Sequence, residues 1–267
     1  MRKTISIVIP VFNEEENLRE FYTRLTKVMS EVSYDYDIIF VDDGSRDASS
    51  AILYDLSQND EHVQAYLLSR NFGHQMALTC GLDHAEGDAV ITMDGDLQHP
   101  PELIPELLGL WEAGYEIVQT VRKDTADASK FKKITSSTYY KLINKMSKVH
   151  ITPGGSDFRL MDRVAIEALR LYNERARFIR GLVNNLGFKL TTLEFVAPPR
   201  FAGQSKYNLH KMLHFALDGI TAFSNVPLRW AFYVGLSFGF GSMLVLGHVL
   251  FIKLFTEEAV SGWATIA

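Results

Sequence analysis

The feature that most constrains the fold of this chain is the regular alternation of short apolar runs with helix-like segments between residues 4 and 113. The apolar runs predict strands over residues 4–10, 36–41, 63–68 and 88–93. The intervening periodicity predicts helices over residues 13–29, 47–58, 74–85 and 101–113. Strands that alternate with helices form a mostly parallel sheet with helices on both faces, so we predict an α/β fold.

Polar side chains follow three of these predicted strands. Asn13 follows the first, Asp42 and Asp43 the second, and Asp94 and Asp96 the fourth. Parallel sheets bind their ligands at the carboxyl ends of the strands. Two carboxylates one residue apart can converge on a hard cation such as Mg²⁺ or Mn²⁺, which usually shares its ligand shell with substrate phosphates. The pattern therefore predicts a metal-assisted site for a phosphorylated substrate, although Asp-Gly-Asp alone is also a common polar turn.

Composition limits the class of partner. A net charge of -5 and a pI near 5.9 argue against a nucleic-acid-binding protein, which usually presents a basic face. The single cysteine, Cys80, excludes an internal disulfide framework and fits a reducing compartment.

The middle of the chain is less regular. Residues 123–148 are rich in lysine and polar side chains, which predicts a loop followed by a helix. Residues 153–159 (PGGSDFR) are typical of a turn-rich connection into a helix, and residues 188–196 predict a late strand.

A long uncharged stretch follows near the C-terminus. Residues 231–252 carry no charged side chain, and about 20 apolar residues suffice to cross a bilayer. We therefore predict a transmembrane helix over residues 227–255, the alternative being a buried helix of a soluble protein. Its glycines make self-association as a homo-oligomer plausible. Arg229 and the basic residues before it predict that the preceding domain, residues 1–205, faces the cytoplasm.

The flanks of this helix are also patterned. Residues 206–226 place apolar side chains at helical spacing, which predicts a juxtamembrane amphipathic helix at the interface or, alternatively, one that packs on its own domain. Residues 256–267 are expected to form a loop that leads to a further span.

Four motifs occur in order along the chain. They are 6–18 (SIVIPVFNEEENL), 41–45 (VDDGS), 94–102 (DGDLQHPPE) and 200–207 (RFAGQSKY). Together they resemble the family 2 glycosyltransferases of GT-A (Rossmann-like) fold. The fourth motif and the apolar helix narrow the resemblance to the polyprenyl-phosphate glycosyltransferases, the group of the bactoprenol glucosyltransferases and dolichol-phosphate-mannose synthase.

The resemblance implies a reaction. A hexose, with glucose from UDP-glucose favoured, would pass with inversion to polyprenyl (undecaprenyl) phosphate at the inner leaflet of a bacterial plasma membrane. The implied partners are thus a nucleotide sugar, a lipid phosphate and the bilayer, with Mg²⁺ or Mn²⁺ as cofactor. GDP-mannose remains an alternative donor, and a non-catalytic membrane-anchored scaffold is the alternative of a different class.

The resemblance also implies residue roles in the donor site. Pro10, Phe12 and Glu14 would lie around the base and ribose. Asp42 would contact the base, and Asp43 would shape its turn.

Further roles follow for the reacting groups. Asp94 and Asp96 would hold the metal beside the donor diphosphate. Asp157 would act near the acceptor as a base or an orienting group, unless it only caps a helix. Basic side chains that would grip the phosphates are Arg122, Lys132, Lys133, Arg200 and Lys206. Solvated surface charge is the alternative for each of these, and we expect His99 to support the Asp-Gly-Asp turn.

Overall fold

The computed structural model describes residues 2–123, 154–172, 179–196, 198 and 226–255. The chain divides into two compact units, residues 1–213 and 214–267. The juxtamembrane helix expected over 206–226 and the loop expected over 256–267 lie outside the described residues, apart from Val226. The boundary expected at residue 205 therefore stays a prediction, as does the loop and helix expected within 123–148.

The first unit alternates strands and helices. Its strands are β1 (Thr4–Val11), β2 (Asp35–Asp42), β3 (Val63–Leu67), β4 (Ala89–Thr92), β5 (Ile117–Arg122), β6 (Gly155–Asp162) and β7 (Leu190–Phe195). Its helices are α1 (Leu18–Glu31), α2 (Ser49–Asn59), α3 (His74–His84), α4 (Ile104–Glu112, after a 3₁₀ turn at Pro101–Leu103), α5 (Arg163–Arg170) and α6 (Ile179–Asn185).

The seven strands form one sheet in the order β3-β2-β1-β4-β6-β5-β7. The first four are mutually parallel, and β5 pairs with β7 in parallel. Strand β6 runs antiparallel to both of its neighbours, β4 and β5. The predicted α/β fold with a mostly parallel sheet is confirmed.

The prediction for residues 153–159 as a connection into a helix was wrong. Residues from Gly155 onwards form β6, and helix α5 begins only at Arg163. Glycine and polar residues at its start indicated a turn, but pairing with β4 and β5 on both sides keeps this segment extended. Phe158 and Leu160 then bury their side chains in the core. Strand β5 was not predicted.

Helix α1 begins later than predicted because Asn13, the second residue after β1, lies outside the helical region of φ. Asn13 has a φ of 53°, in the left-handed region that few residues other than glycine adopt. A turn follows, and the helix starts at Leu18, whose side chain is fully buried with those of Phe21 and Leu25. Asn13 therefore lies in the turn after β1 and not in the first turn of α1.

Two cores cover the two faces of the sheet, as alternation along buried strands requires. In β1, Ile7 and Ile9 belong to one core and Val8 to the other. Helices α1, α2 and α4 bury apolar side chains in the first core, and α3, α5 and α6 in the second. The sheet is therefore a rigid platform on which the strand ends are fixed.

Substitution of Gly81 tests this close packing. A Cβ at Gly81 in α3 would lie 2.3 Å from Cγ1 of Val8 and 3.2 Å from Cγ2 of Val41. We expect Gly81→Ala to lower the free energy of unfolding by about 1–3 kcal/mol, as overpacking of a core usually does. Urea denaturation of the full chain in detergent measures it.

Gly109→Ala is the matched control, since Gly109 is also helical but no atom lies within 4 Å of its added Cβ. We expect Gly109→Ala to raise the free energy of unfolding by about 0.5–1 kcal/mol, because alanine lowers the entropy of the unfolded chain. Equal effects at the two glycines would contradict the packing described for α3.

The second unit contributes one described helix, α7 (Val226–Phe255). Within the described residues, only Leu228–Phe255 is long and apolar enough to cross a membrane, with a mean hydropathy of 1.8. The described side chains of this helix are almost all exposed.

Candidate active site at the carboxyl edge of the sheet

A first cavity of about 500 Å³ opens where β1, β2 and β3 end. It brings together two residues predicted for the nucleotide site, Phe12 and Asp42. Polar side chains from the loops after the strands complete it. The lining residues are Phe12, Asn13, Asp42, Gly44, Ser45, Arg46, Ser50, Leu67, Leu68, Ser69, Arg70 and Asn71.

Hydrogen bonds between the loops after β1 and β2 fix one wall of this cavity. The backbone N–H of Asn13 donates to Oγ of Ser45 over 2.9 Å, and the backbone N–H of Arg46 donates to Oδ1 of Asn13 over 2.8 Å. The backbone N–H of Glu14 donates to Oγ of Ser49. The left-handed conformation of Asn13 thus lets one side chain bridge two strand ends.

Asp42 and Asp43 have different structural tasks. Asp42 is buried and accepts hydrogen bonds from Ser45 and from Oγ of Ser50, the latter over 2.6 Å. Asp43 accepts from the segment 71–73, through Asn71 Nδ2 and the backbone N–H groups of Phe72 and Gly73, at 2.7–2.9 Å. Asp43 therefore holds the loop before α3, a role that was not predicted, while Asp42 lines the cavity itself.

His99 stabilises the Asp-Gly-Asp turn after β4. The backbone N–H of Asp94 donates to Nδ1 of His99 over 2.8 Å. An acceptor at Nδ1 places the proton of the neutral ring on Nε2, which donates to Oγ of Ser156 over 2.6 Å. The ring also stacks on Phe158. The supporting role expected for His99 is present, and it ties the turn to the antiparallel strand β6.

The two carboxylates of the turn are oriented separately. Oδ1 of Asp94 accepts from Nε2 of His74 over 2.8 Å, and Oδ1 of Asp96 accepts from the backbone N–H of Gln98 over 3.1 Å. Leu97, which follows, has a φ of 61° and buries its side chain. The left-handed turn is thereby anchored in the core while both carboxylates stay partly exposed.

This donor set fits a magnesium or manganese ion. Among the described residues no three His, Cys, Asp or Glu side chains form a complete metal cage. Mg²⁺, however, is usually held by one or two carboxylates together with substrate phosphates and water. Asp94 and Asp96 would supply that number of hard oxygen ligands at the strand end.

A second cavity of about 260 Å³ begins at Asp94 and extends over β6. Arg122, predicted to bind phosphate, and Asp157, predicted to act near the acceptor, both line it. The lining residues are Asp94, Gln98, His99, Arg122, Gly154, Gly155, Ser156, Asp157, Arg180 and Phe195. Arg122 is also fixed through its backbone, since its N–H donates to the carbonyl of Gly154 over 3.0 Å.

Asp157 is buried between two arginines. Its Oδ1 accepts from Nη2 of Arg159 over 2.6 Å, and its Oδ2 accepts from Nη2 of Arg180 over 2.7 Å. Burial acts to raise the pKa of Asp157, but the guanidinium groups of Arg180 and Arg159 outweigh it and hold that pKa below its ordinary value. Asp157 does not cap a helix: Asp162 is the N-cap of α5 and accepts from the backbone N–H of Val164.

The remaining predicted residues lie away from the cavities or outside the described chain. Pro10 is buried within β1, and the carboxylate of Glu14 accepts from Nδ2 of Asn17 over 2.6 Å. Neither lines the first cavity. Residues outside the described part of the chain are Lys132, Lys133, Arg200 and Lys206.

Sequence reasoning did not find Arg180, which lines the second cavity, nor Arg159, which is fully buried behind it. The available signal for Arg180 was its place in α6 among Ile179, Leu182 and Val183, all buried in the second core. A cation flanked by core positions is unusual unless it has a partner.

Comparison with known proteins identifies the family. Residues 6–170 match the family described as Glycosyl transferase family 2. The chain is 44% identical to the uncharacterized glycosyltransferase YkcC of Bacillus subtilis, over 98% of this chain and 81% of that protein. It is 41% identical to the bactoprenol glucosyl transferase of Shigella phage SfV, over 92% of this chain and 82% of that protein.

A solved structure supports the fold. Glucosyl-3-phosphoglycerate synthase from Mycobacterium tuberculosis, in complex with Mn²⁺, UDP and glucosyl-3-phosphoglycerate, superposes with a TM-score of 0.59 at 16% identity, covering 82% of this chain and 77% of that one. With the cavities at the strand ends, the matched family and relatives above 40% identity show that this chain belongs to the family 2 glycosyltransferases.

Proposed function

We propose that this transferase moves glucose from UDP-glucose to polyprenyl phosphate and produces a lipid-linked sugar. The observation that carries the proposal is the 41% identity to a bactoprenol glucosyl transferase over 92% of this chain. Two cavities at the strand ends, the second of which is lined by Asp94, supply room for a nucleotide and for a second substrate.

The first cavity suits the nucleoside part of the donor. Its volume of about 500 Å³ falls in the range of ordinary ligand pockets. Phe12 and Leu67 offer apolar surface to a base, while the buried carboxylate of Asp42 is a hydrogen-bond acceptor for a base N–H group. Arg46 and Arg70 line the same cavity and add positive charge for an anionic ligand.

Charge neutralisation is the chemical demand at the Asp94 turn. Mg²⁺ or Mn²⁺ held by Asp94 and Asp96 would supply positive charge beside the departing diphosphate. His74 and His99 orient Asp94 through its side chain and its backbone, so the carboxylate is preorganised for this task. The structural neighbour in complex with Mn²⁺ and UDP supports a divalent ion in this fold.

The second cavity suits an anionic acceptor because Arg122 and Arg180 both line it. A phosphate monoester has a second pKa of about 6 and is largely ionised at neutral pH. The acceptor therefore attacks without a strong general base, and the side chains need only bring two anions together. Lys132, Lys133, Arg200 and Lys206 remain predicted phosphate contacts.

Helix α7 is the part of the chain that would meet a lipid substrate. Its exposed apolar surface and length suit insertion in a bilayer, so we place the protein at the membrane that carries polyprenyl phosphate, with its sheet domain on the cytoplasmic side. Self-association through its glycines stays a prediction.

Donor choice tests the proposal directly. Full-length protein in detergent is incubated with radiolabelled UDP-glucose or GDP-mannose, undecaprenyl phosphate and Mn²⁺, and lipid-linked sugar is extracted. We expect product from UDP-glucose alone. Product from GDP-mannose alone would instead assign the mannose reaction, and no product from either donor would contradict the proposal.

Metal removal is a separate prediction. EDTA in excess over Mn²⁺ is expected to reduce transfer to background, because the diphosphate leaves with its charge uncompensated. Added Mn²⁺ or Mg²⁺ should restore it, whereas Mn²⁺-saturated EDTA serves as the control for effects of the chelator itself. Full activity in EDTA would exclude the metal role of Asp94 and Asp96.

A further inference from the structure

The second cavity contains an arrangement of charges that the assigned motifs do not explain. Arg159, Asp157 and Arg180 form a line of ion pairs, with N–O distances of 2.6 Å and 2.7 Å. The side chain of Arg159 is 0% exposed, that of Asp157 is 9% exposed and that of Arg180 is 26% exposed. The line therefore runs from the interior of the sheet to the cavity.

The interior end of this line neutralises Asp157. Burial lowers the pKa of the Arg159 guanidinium to about 10, which leaves it cationic at neutral pH. One negative charge between two positive charges leaves the group with a net positive charge. Of the two arginines only Arg180 lines the cavity, so its guanidinium is the one that can meet a ligand there, beside the carboxylate of Asp94.

The position of Arg180 is fixed from two sides. Its guanidinium is tied to Asp157 on β6, while the backbone N–H of the preceding Ile179 donates to Oε1 of Gln75 in α3 over 3.1 Å. Ile179 is itself fully buried. A cation held in place before a ligand arrives loses little entropy on binding, which favours recognition of a fixed anionic group.

We propose that Arg180 binds a phosphoryl oxygen of the substrate in the second cavity, and that Asp157 is the positioning residue that fixes its guanidinium. This inference rests on the proposed function, which places phosphoryl groups in the cavity. It assigns Asp157 a role other than general base. A carboxylate held by two guanidinium groups is a weak proton acceptor, and the ionised phosphate requires none.

Binding of two probes tests the role of Arg180. Wild type, Arg180→Met and Arg180→Lys are titrated with UDP plus Mn²⁺ and, separately, with farnesyl phosphate, by calorimetry of the full chain in detergent. We expect Arg180→Met to raise the Kd of one probe by about 10- to 100-fold, the effect of losing a charge-assisted hydrogen bond. The Kd of Arg180→Lys for that probe should lie between the values of wild type and Arg180→Met. A weaker UDP complex assigns the donor diphosphate, and a weaker farnesyl phosphate complex assigns the acceptor.

A matched control removes a surface charge elsewhere. Arg19→Met deletes an arginine that is paired with Asp55 and 65% exposed, and it should leave both Kd values unchanged. Arg180→Met keeps the interior Arg159–Asp157 pair, so it should fold with a melting temperature close to that of wild type. Both Kd values within twofold of wild type in folded Arg180→Met would overturn the proposal and leave a structural ion pair.

The role of Asp157 is tested by a double-variant cycle. If Asp157 acts through Arg180, Asp157→Asn should add less than about threefold to the loss of kcat/KM already caused by Arg180→Met. A general base would cost about 100-fold or more in either background, and that result would overturn the positioning role. If Asp157→Asn does not fold, the double variant Asp157→Asn with Arg159→Met takes its place in the cycle, because it removes both buried charges together.

The binding measurements also separate this inference from the proposed function. Absence of sugar transfer by the wild-type protein would contradict the glucosyl reaction. The Kd values would still decide whether Arg180 contacts a phosphoryl group, because they require neither the correct sugar nor turnover.

Discussion

Asp94→Asn is expected to lower the rate of sugar transfer by about 1,000-fold or more, equivalent to about 4 kcal/mol of transition-state stabilisation. Asparagine keeps the shape of the side chain and an oxygen that can accept from His74, whose Nε2 lies 2.8 Å from Oδ1. It removes the charge that a divalent cation requires. Initial rates at saturating UDP-glucose and lipid phosphate, with increasing Mn²⁺, measure the effect.

Asp55→Asn is the control for loss of one carboxylate, because Asp55 is about half exposed and forms a surface ion pair with Arg19. Such pairs contribute at most about 1 kcal/mol, so its transfer rate should stay within twofold of wild type. A rate for Asp94→Asn within tenfold of wild type would show that the strand-end carboxylate is not essential for transfer.

Gly44→Ala is expected to damage the nucleotide cavity through the backbone. Gly44 has a φ of 68°, and an added Cβ would lie 2.5 Å from the carbonyl carbon of Arg70. The backbone at Arg70 cannot easily move away from the added Cβ, because Asp43 binds the adjacent segment 71–73 through hydrogen bonds. We expect about 3 kcal/mol lower stability from backbone strain and overpacking combined. Displacement of the cavity wall should lower kcat/KM by about 100-fold.

Gly187→Ala separates the two causes. Gly187 has a φ of 79°, yet no atom lies within 4 Å of its added Cβ. Gly187→Ala should lower the free energy of unfolding by about 1–2 kcal/mol, because alanine is strained in the left-handed conformation, and it should leave the Kd for UDP unchanged. Urea denaturation and calorimetric titration with UDP of both variants measure these effects, and unchanged UDP binding by Gly44→Ala would contradict the cavity assignment.

The part of the site that follows β1, β2 and β4 was predictable from sequence because its signals are local. Each strand is a short apolar run, and each ends in polar residues that a buried strand cannot contain. The fold then brings Asn13, Asp42 and Asp94 to one edge by the geometry of parallel strands. The support of Asp94 by His99 was also predictable, since both belong to one turn.

Strands β5 and β6 were not predictable in the same way because their interiors contain polar side chains. Gln119 and Arg159 occupy paired positions and are almost completely buried. Burial of Arg159 is tolerated only because Asp157 supplies a counter-charge. A hydropathy pattern does not reveal such compensation. The partnership between Asp157 and Arg180 joins residues on different elements, so no local motif indicated it.

The antiparallel direction of β6 has a consequence for how such a sheet can change in evolution. Strand β5 ends and β6 begins at one edge, where Arg122 N–H meets the carbonyl of Gly154. The chain therefore leaves and re-enters the sheet at a single hydrogen-bonded point beside the second cavity. A change in the number of residues between Lys123 and Gly154 therefore need not shift the register of either strand. The topology therefore allows insertions between β5 and β6 that leave the strands preceding Asn13, Asp42 and Asp94 in their present register.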